Sequence, residues 1–326
     1  MSASLRRYHS LAAFPRDCGT AVSIGNFDGV HLGHQAIMRA ACAAASSRGL
    51  RAVVVTFDPP PAEVLFPARK IDKLTTTREK LHLLAQIGID DCIVLPTDRS
   101  LLDQSPLEFL QHIVAHLQPE VFVEGPDFHF GKDRAGNIDT LRDYAAEFHF
   151  EVIEVPPTGV PTLPEILRAS SSIVRRQLSQ GNVRAASQLM ARPHRITGAV
   201  GSGDGRGAKM GVATANLDNI PQMIPGVGVY ATLAQLADNR VFPAAVNIGP
   251  QPTFEGDQNR VEAHIIGFTA DLRDQRLALY FLDRLRDQIK FADAAALVTQ
   301  IRQDMAETVQ IAATQKIDSH SLLPLD

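Results

Sequence analysis

The chain reads as two domains of different class: an α/β domain built on a parallel sheet over residues 1–190, and a small β-barrel with a closing helix over residues 191–326. Three observations predict this. At 326 residues the chain is long for a single core. Its first half alternates short β-branched runs with helical spacing, the pattern of strands joined by crossover helices. From about Arg192 the long helices stop, and short strands separated by turn residues follow until one last helix.

In the first half, Thr20 to Ile24 is a compact apolar run ending in Gly25-Asn26. An alanine-rich helix is predicted from His34 to about Arg48, stopped by Gly49. Arg51 to Phe57 carries Val53, Val54 and Val55, and a run apolar on both pleat faces suits a strand covered on both sides. Helical spacing returns from Thr75 to Gln86, from Leu107 to Leu117 and from Leu141 to Phe148. Strands fall between and after them at Cys92 to Leu95, Val121 to Val123 and Val152 to Val155. Sheets of this kind bind ligands at the carboxyl ends of their strands. A helix from Gln177 to Ala191 hands over to Arg192-Pro193, which sets the boundary near residue 190. Beyond it the strand candidates are Ile196 to Val200, Val229 to Leu236, Val241 to Ile248, Val261 to Phe268 and Leu277 to Leu282. Turn residues at 201–207, 238–239 and 271–274 separate them, and a helix from Ala292 to about Ala313 closes the pattern.

An apolar share of 45% and a charged share of 21% support packed cores and exclude a disordered chain. With 32 Lys and Arg against 36 Asp and Glu, the net charge of −4 offers no general field for nucleic acid, so any polyanion site must be local. The longest apolar runs, at Val53-Val54-Val55 and around Ala43, are far short of a membrane span. Arg6 and Arg7 precede Leu11-Ala12-Ala13-Phe14, but Pro15, Arg16 and Asp17 cut that run off too early for a signal peptide. Cys18, Cys42 and Cys92 share no CxxC spacing and read as small buried hydrophobes in a reducing compartment. The expectation is a cytoplasmic protein acting on small molecules, with no nucleic-acid or membrane partner, as a monomer or weak homo-oligomer.

Candidate chemistry begins where the first strand meets the first helix, in Gly25-Asn26-Phe27-Asp28-Gly29-Val30-His31-Leu32-Gly33-His34. A helix N-terminus attracts phosphate through its unpaired N–H groups and dipole. Gly33 lets a nucleotide approach the backbone, and His31 and His34 can donate to phosphate oxygens as charge moves. After the fourth strand, Asp127 sits in a loop where Phe128 and Phe130 could wall a planar ring and Lys132 or Arg134 could reach phosphate; inward packing of both phenylalanines is the competing reading. Ser170, Ser171 and Ser172 suit a helix cap, or phosphate contacts joined by Arg175 one turn on. In the second half, Gly205 and Gly207 lie in a glycine-rich loop able to cradle phosphate, followed by Thr214 and Asn216, whose oxygens suit Mg²⁺. Glu262 and His264 share one face of their strand, and a carboxylate there could take a proton from a substrate hydroxyl.

GNFDGVHLGH, TFDPPPAEVLF from Thr56, GPDFHFGKDRAGN from Gly125 and SSSIVR from Ser170, in this order, resemble the bacterial bifunctional riboflavin kinase/FAD synthetase family. The first half is similar to its FMN adenylyltransferase domain, a Rossmann-like member of the HxGH nucleotidyltransferases. The resemblance implies in-line transfer of AMP from ATP to FMN, giving FAD and pyrophosphate. It implies that His31 and His34 hold the triphosphate, that Gly25, Asn26, Phe27, Asp28, Gly29 and Gly33 form the nucleotide loop, and that Asp127 is the polar catalytic residue. Ser171, Ser172 and Arg175 would hold phosphate, and Phe128 and Phe130 would face flavin. The second half resembles the riboflavin kinase barrel, which implies Mg²⁺ with ATP on Thr214 and Asn216, nucleotide on Gly205 and Gly207, flavin near Asn247 and Arg286, and Glu262 as base on the ribityl hydroxyl.

Departures from the family pattern are Pro60 for a histidine, Ala213 for a proline, Gly267 for an aspartate, Arg273-Asp274 for Tyr-Gly, and Gln288 for an acidic residue. Pro60 has no N–H and no ring nitrogen to donate. The cluster in the barrel leaves two alternatives beside the bifunctional enzyme: adenylyl transfer only, with a barrel that binds flavin but does not phosphorylate it, and a non-catalytic flavin-binding protein.

Overall fold

The computed structural model describes residues 5–69, 71–162, 165–201, 214–250, 259–315 and 322–325. The chain divides into two compact units, Met1–Ile71 with Thr77–Ser170, and Asp72–Thr76 with Ser171–Asp326. Among the described residues no helix is long and apolar enough to cross a membrane.

In the first unit the elements run β1 (Arg6–Tyr8), β2 (Thr20–Ile24), α1 (Leu32–Arg48), β3 (Arg51–Asp58), α2 (Pro61–Leu65), α3 (Thr77–Ile87), β4 (Asp91–Pro96), α4 (Arg99–Leu102), α5 (Pro106–Leu117), β5 (Pro119–Glu124), β6 (His129–Phe130), β7 (Gly136–Asn137), α6 (Ile138–Phe148), β8 (Glu151–Glu154), β9 (Gly159–Thr162) and β10 (Glu165–Arg168). Six of these strands form one sheet in the order β1-β4-β3-β2-β5-β8, every neighbouring pair parallel. Val22, Ile24, Val53, Val55, Ile93, Leu95 and Phe122 form one core with Phe109, Leu110, Ile113 and Leu117 of α5 and Leu141 of α6. The alternate residues Ala21, Val54, Cys92 and Val121 are equally buried, and α1 packs on β2, β3 and β5. Both faces are therefore covered, as the β-branched runs require. The order reverses direction at β2, so the ends of β2 and β5 form the topological switch point of the sheet.

Edge strand β1 has no periodicity to read. It is held by the buried carboxylate of Asp91, which takes Arg6 Nε at 2.8 Å and Arg51 Nη2 at 2.6 Å. Of the three free cysteines only Cys92 is buried, where desolvation pushes its thiol up to about 12; Cys18 and Cys42 are half-buried. Helices start where their caps lie: Ser105 makes a capping box with Glu108 ahead of α5, and Asn137 caps α6, which begins at Ile138, three residues before the first expected position.

The second unit comprises α7 (Ser171–Ser179), α8 (Val183–Met190), β11 (His194–Gly201), β12 (Ala215–Asp218), β13 (Gly228–Gln235), β14 (Val241–Pro250), β15 (Asn259–Ile265), β16 (Arg276–Arg286) and α9 (Ala294–Thr314). The strands close into a barrel in the order β11-β12-β15-β14-β13-β16, β16 returning antiparallel to β11. Helix α9 packs on β13, β14 and β16. Where the sequence suggests one helix from Gln177 to Ala191 there are two. Gly181 breaks them at φ +76°, with the guanidinium of Arg284 and the hydroxyl of Tyr230 where a side chain would go. Contacts place both helices with the barrel, so the compact units part at residue 170/171. Strand β12 lies in a segment that reads as loop, and β15 ends before Gly267, which turns the chain at φ +80°.

Candidate active sites

At the end of β2 the backbone turns tightly enough to leave standard geometry. Phe27 has φ +46°, Val30 φ +38° and Gly29 φ +80°. A β-branched residue at positive φ is an outlier that persists only where its surroundings hold it. Here Val30 N–H donates to the Phe27 carbonyl at 3.2 Å, and Gln35 Nε2 donates to the Val30 carbonyl at 2.9 Å. A Cβ on Gly25 would lie 2.9 Å from the Phe27 ring, which is why that position lacks one. Beneath the loop the buried ammonium of Lys80, from α3, donates to the Asn26 carbonyl at 2.7 Å and to Thr56 Oγ1 at 3.1 Å. Nothing in the pattern around Lys80 marks this role, because it depends on where α3 packs.

His31 is the N-cap of α1, and its Nδ1 accepts the His34 N–H at 3.4 Å. An accepting Nδ1 puts the ring proton of neutral His31 on Nε2, which becomes its donor. The two imidazoles stack with centroids 3.6 Å apart, and the Phe27 ring meets His34 edge-on at 5.2 Å. A Cβ on Gly33 would come within 3.2 Å of the His31 ring, so the glycine between the histidines lets that ring fold over the helix start. Asp28 is buried in the same turn.

Neighbouring and parallel, β5 delivers its own loop to the same sheet edge. Its last residue, Glu124, is buried, accepts the Ile24 N–H at 2.6 Å and thereby ties the ends of β2 and β5 together. Burial pushes this carboxyl well above the usual carboxylate range, against a smaller opposing effect from that hydrogen bond. Asp127 is exposed and ion-paired with Arg168 at the end of β10. Phe130 takes the inward of the two readings, 7% exposed in the core beside Phe109, and Phe128 stacks on it at 5.2 Å. Lys132 pairs with Asp103. Ser171, Ser172 and Arg175 open α7 in the second unit, where Arg175 Nε donates to the Asp72 carbonyl at 2.7 Å.

In the barrel, register assembles a second constellation. Asn216 on β12 lies opposite Glu262 on β15, which lies opposite Asn247 on β14. Facing residues of antiparallel strands share a face, so the three stand in a row. On β15 the flanking Val261 and Ala263 are fully buried on the other face. Asn216 Oδ1 accepts Arg260 Nε at 2.8 Å, and Asn247 Oδ1 accepts Gln288 Nε2 at 2.8 Å. Thr214 is exposed just ahead of β12. Gly205, Gly207 and Ala213 lie outside the described residues. Arg286 anchors α9: Asp304 receives its Nη2 at 2.7 Å and its Nε at 3.1 Å, and the guanidinium lies over Phe291.

Residues 14–163 match the family described as FAD synthetase, and residues 190–312 match riboflavin kinase. The bifunctional riboflavin kinase/FMN adenylyltransferase of Escherichia coli (strain K12) is 32% identical over 302 residues, 92% of this chain and 95% of that protein. The chain belongs to the bifunctional riboflavin kinase/FMN adenylyltransferase family. Within that family, the Pseudomonas fluorescens protein is 34% identical over 311 residues, covering 95% of this chain and 97% of the relative. A crystal structure of a macrolide-efflux protein from Streptococcus pneumoniae superposes with a TM-score of 0.84 at 29% identity, covering 94% of this chain and 99% of that one. The FAD-synthetase match contains both loops at the ends of β2 and β5, and the riboflavin-kinase match contains Asn216, Asn247 and Glu262; Ser171, Ser172 and Arg175 fall between the matches.

Proposed function

We infer that this chain makes FAD from riboflavin in two ATP-dependent steps, phosphorylation to FMN in the barrel and adenylylation of FMN at the parallel sheet. The observation that carries this reading is a separate phosphate-type constellation in each of the two halves, matched in order to FAD synthetase and riboflavin kinase. We assign residues 1–190 to adenylyl transfer and residues 191–326 to the kinase. The enzyme works on small molecules as a monomer or weak homo-oligomer in the cytoplasm.

In adenylyl transfer, an oxygen of the FMN phosphate bonds to the α-phosphorus of ATP as the bond to pyrophosphate breaks in line. His31 and His34 donate to the triphosphate at the start of α1, where the helix dipole favours negative charge. Gly25, Asn26, Phe27, Asp28, Gly29 and Gly33 shape the nucleotide loop, which Lys80 holds from below through the Asn26 carbonyl. Donors held in place before the reaction pay no reorganisation during it. Asp127 adds a carboxylate in the loop after β5, and Phe128 offers the ring surface for flavin, backed by Phe130.

In the kinase step, Glu262 takes the proton of the ribityl 5′-hydroxyl while that oxygen bonds to the γ-phosphorus and ADP leaves. Thr214 and Asn216 supply neutral hard oxygens, a donor set that fits Mg²⁺ completed by nucleotide phosphates. Such a site needs no acidic cage, and among the described residues no cluster of three His, Cys, Asp or Glu side chains is placed to hold a metal alone. Mg²⁺ there would neutralise charge developing on the phosphates.

Two variants separate the steps. Glu262→Gln is expected to lower FMN formation about 10²–10⁴-fold and to leave FMN-to-FAD conversion intact. His34→Ala is expected to do the converse, by about 10²–10³-fold. Wild-type FMN formation by Glu262→Gln would refute the assigned base.

A further inference from the structure

Arg260 precedes Glu262 by two residues on β15, so both side chains leave the same face of the strand. Its Nε donates to Asn216 Oδ1 at 2.8 Å and lies 3.1 Å from Glu262 Oε1. Asn216 is only 6% exposed, and the Arg260 and Glu262 side chains are 28% and 31% exposed, so solvent screens this arrangement incompletely. A guanidinium keeps its charge at every working pH and cannot hand on a proton. One permanent cation thus touches both the amide oxygen assigned to Mg²⁺ and the carboxylate assigned as base.

We propose that Arg260 is a built-in counter-cation of the kinase site. It holds Asn216 and Glu262 in the nucleotide-free protein and must leave both oxygens when Mg²⁺ and nucleotide enter. This rests on the reading of Asn216 and Glu262 given above. A second cation on the Asn216 oxygen is repelled by the guanidinium already there, so the contact raises the Mg²⁺ concentration that nucleotide binding needs. It also keeps the Glu262 carboxylate from an acceptor role until the nucleotide has bound, which couples exposure of the base to occupancy of the site.

The test is a Mg²⁺ titration of riboflavin fluorescence with the full-length protein in the presence of ADP, a binding readout without turnover. Arg260→Gln and Arg260→Met are expected to lower the half-saturating Mg²⁺ about three- to ten-fold. Arg260→Lys, which retains the charge, is expected to stay nearer the wild type. Riboflavin binding at saturating Mg²⁺ and the urea transition of the barrel report whether each variant is folded. An unchanged midpoint in both neutral variants would overturn the proposal, as would a raised one, which would make Arg260 a phosphate ligand instead. A wild-type protein whose riboflavin signal ignores Mg²⁺ and ADP would remove the kinase-site reading itself.

Discussion

Glu124 and Lys80 stand in the middle of ordinary strand and helix pattern, yet each fixes part of the turn that follows β2. The Glu124 carboxyl accepts the Ile24 N–H with no solvent access, and burial raises its proton affinity well above the unfolded value of 4.5. A carboxyl raised in the folded state binds more protons there than in the unfolded chain. Its stabilising contribution is therefore complete below pH 4.5 and is lost as pH rises through the folded value. Glu124→Gln keeps an oxygen for Ile24 and removes the titration. Its stability relative to the wild type is expected to grow between pH 5 and pH 8 in urea unfolding, and a constant difference across that range would contradict the account. Glu124→Leu strands the Ile24 N–H as well and is expected to lie about 1–3 kcal/mol below Glu124→Gln at any pH. Among the barrel departures, Gln288 reads differently in context. Its amide donates to Asn247 Oδ1, so the amide keeps a polar link from the β16 end to the row of site residues.

At the scale of elements, most of the architecture was legible because it rests on local pattern. The valine run of β3, the alanine-rich α1 ending at Gly49 and the alternation on β15 each carry their own period. What escaped was held by distant partners. Three-residue β1 exists because Asp91 receives two arginines from elsewhere in the chain. The four residues of β12 are too short to show alternation and are fixed by pairing to β11 and β15. The break between α7 and α8 is set by what surrounds Gly181, not by its neighbours in sequence. The sites divide in the same way: HxGH and Glu262 were visible as motif and strand face, whereas Lys80, Glu124, Arg168 and Arg260 act through residues far along the chain or across a sheet. Phe130 and Arg286 show the reverse case, where side chains with ligand chemistry also pack and pair within the fold, Phe130 beside Phe109 and Arg286 on Asp304. Gly181→Ala meets both a positive φ of +76° and two side-chain groups within 3 Å. A loss of about 1–3 kcal/mol is expected, seen as a lower midpoint for the barrel's urea transition, and an unshifted transition would contradict it.

For the whole molecule, the two halves divide the chemistry of one route: the product of phosphoryl transfer in the barrel is the acceptor of adenylyl transfer at the sheet. The chain's net charge is −4. The proposed sites hold phosphate through local donors: the start of α1 with two stacked imidazoles at the sheet, and neutral oxygens beside Arg260 in the barrel. The departures in the barrel leave Glu262 in place, and this division is what the decisive measurement addresses. The most direct measurement is chromatography of flavins after incubating the pure full-length protein with ATP, Mg²⁺ and riboflavin as the sole flavin. FMN is expected to appear first and FAD after it, with FAD also formed when FMN is supplied directly. FAD formed from supplied FMN, with riboflavin left unchanged, would contradict the account and reduce the barrel to a flavin-binding partner of the adenylyltransferase.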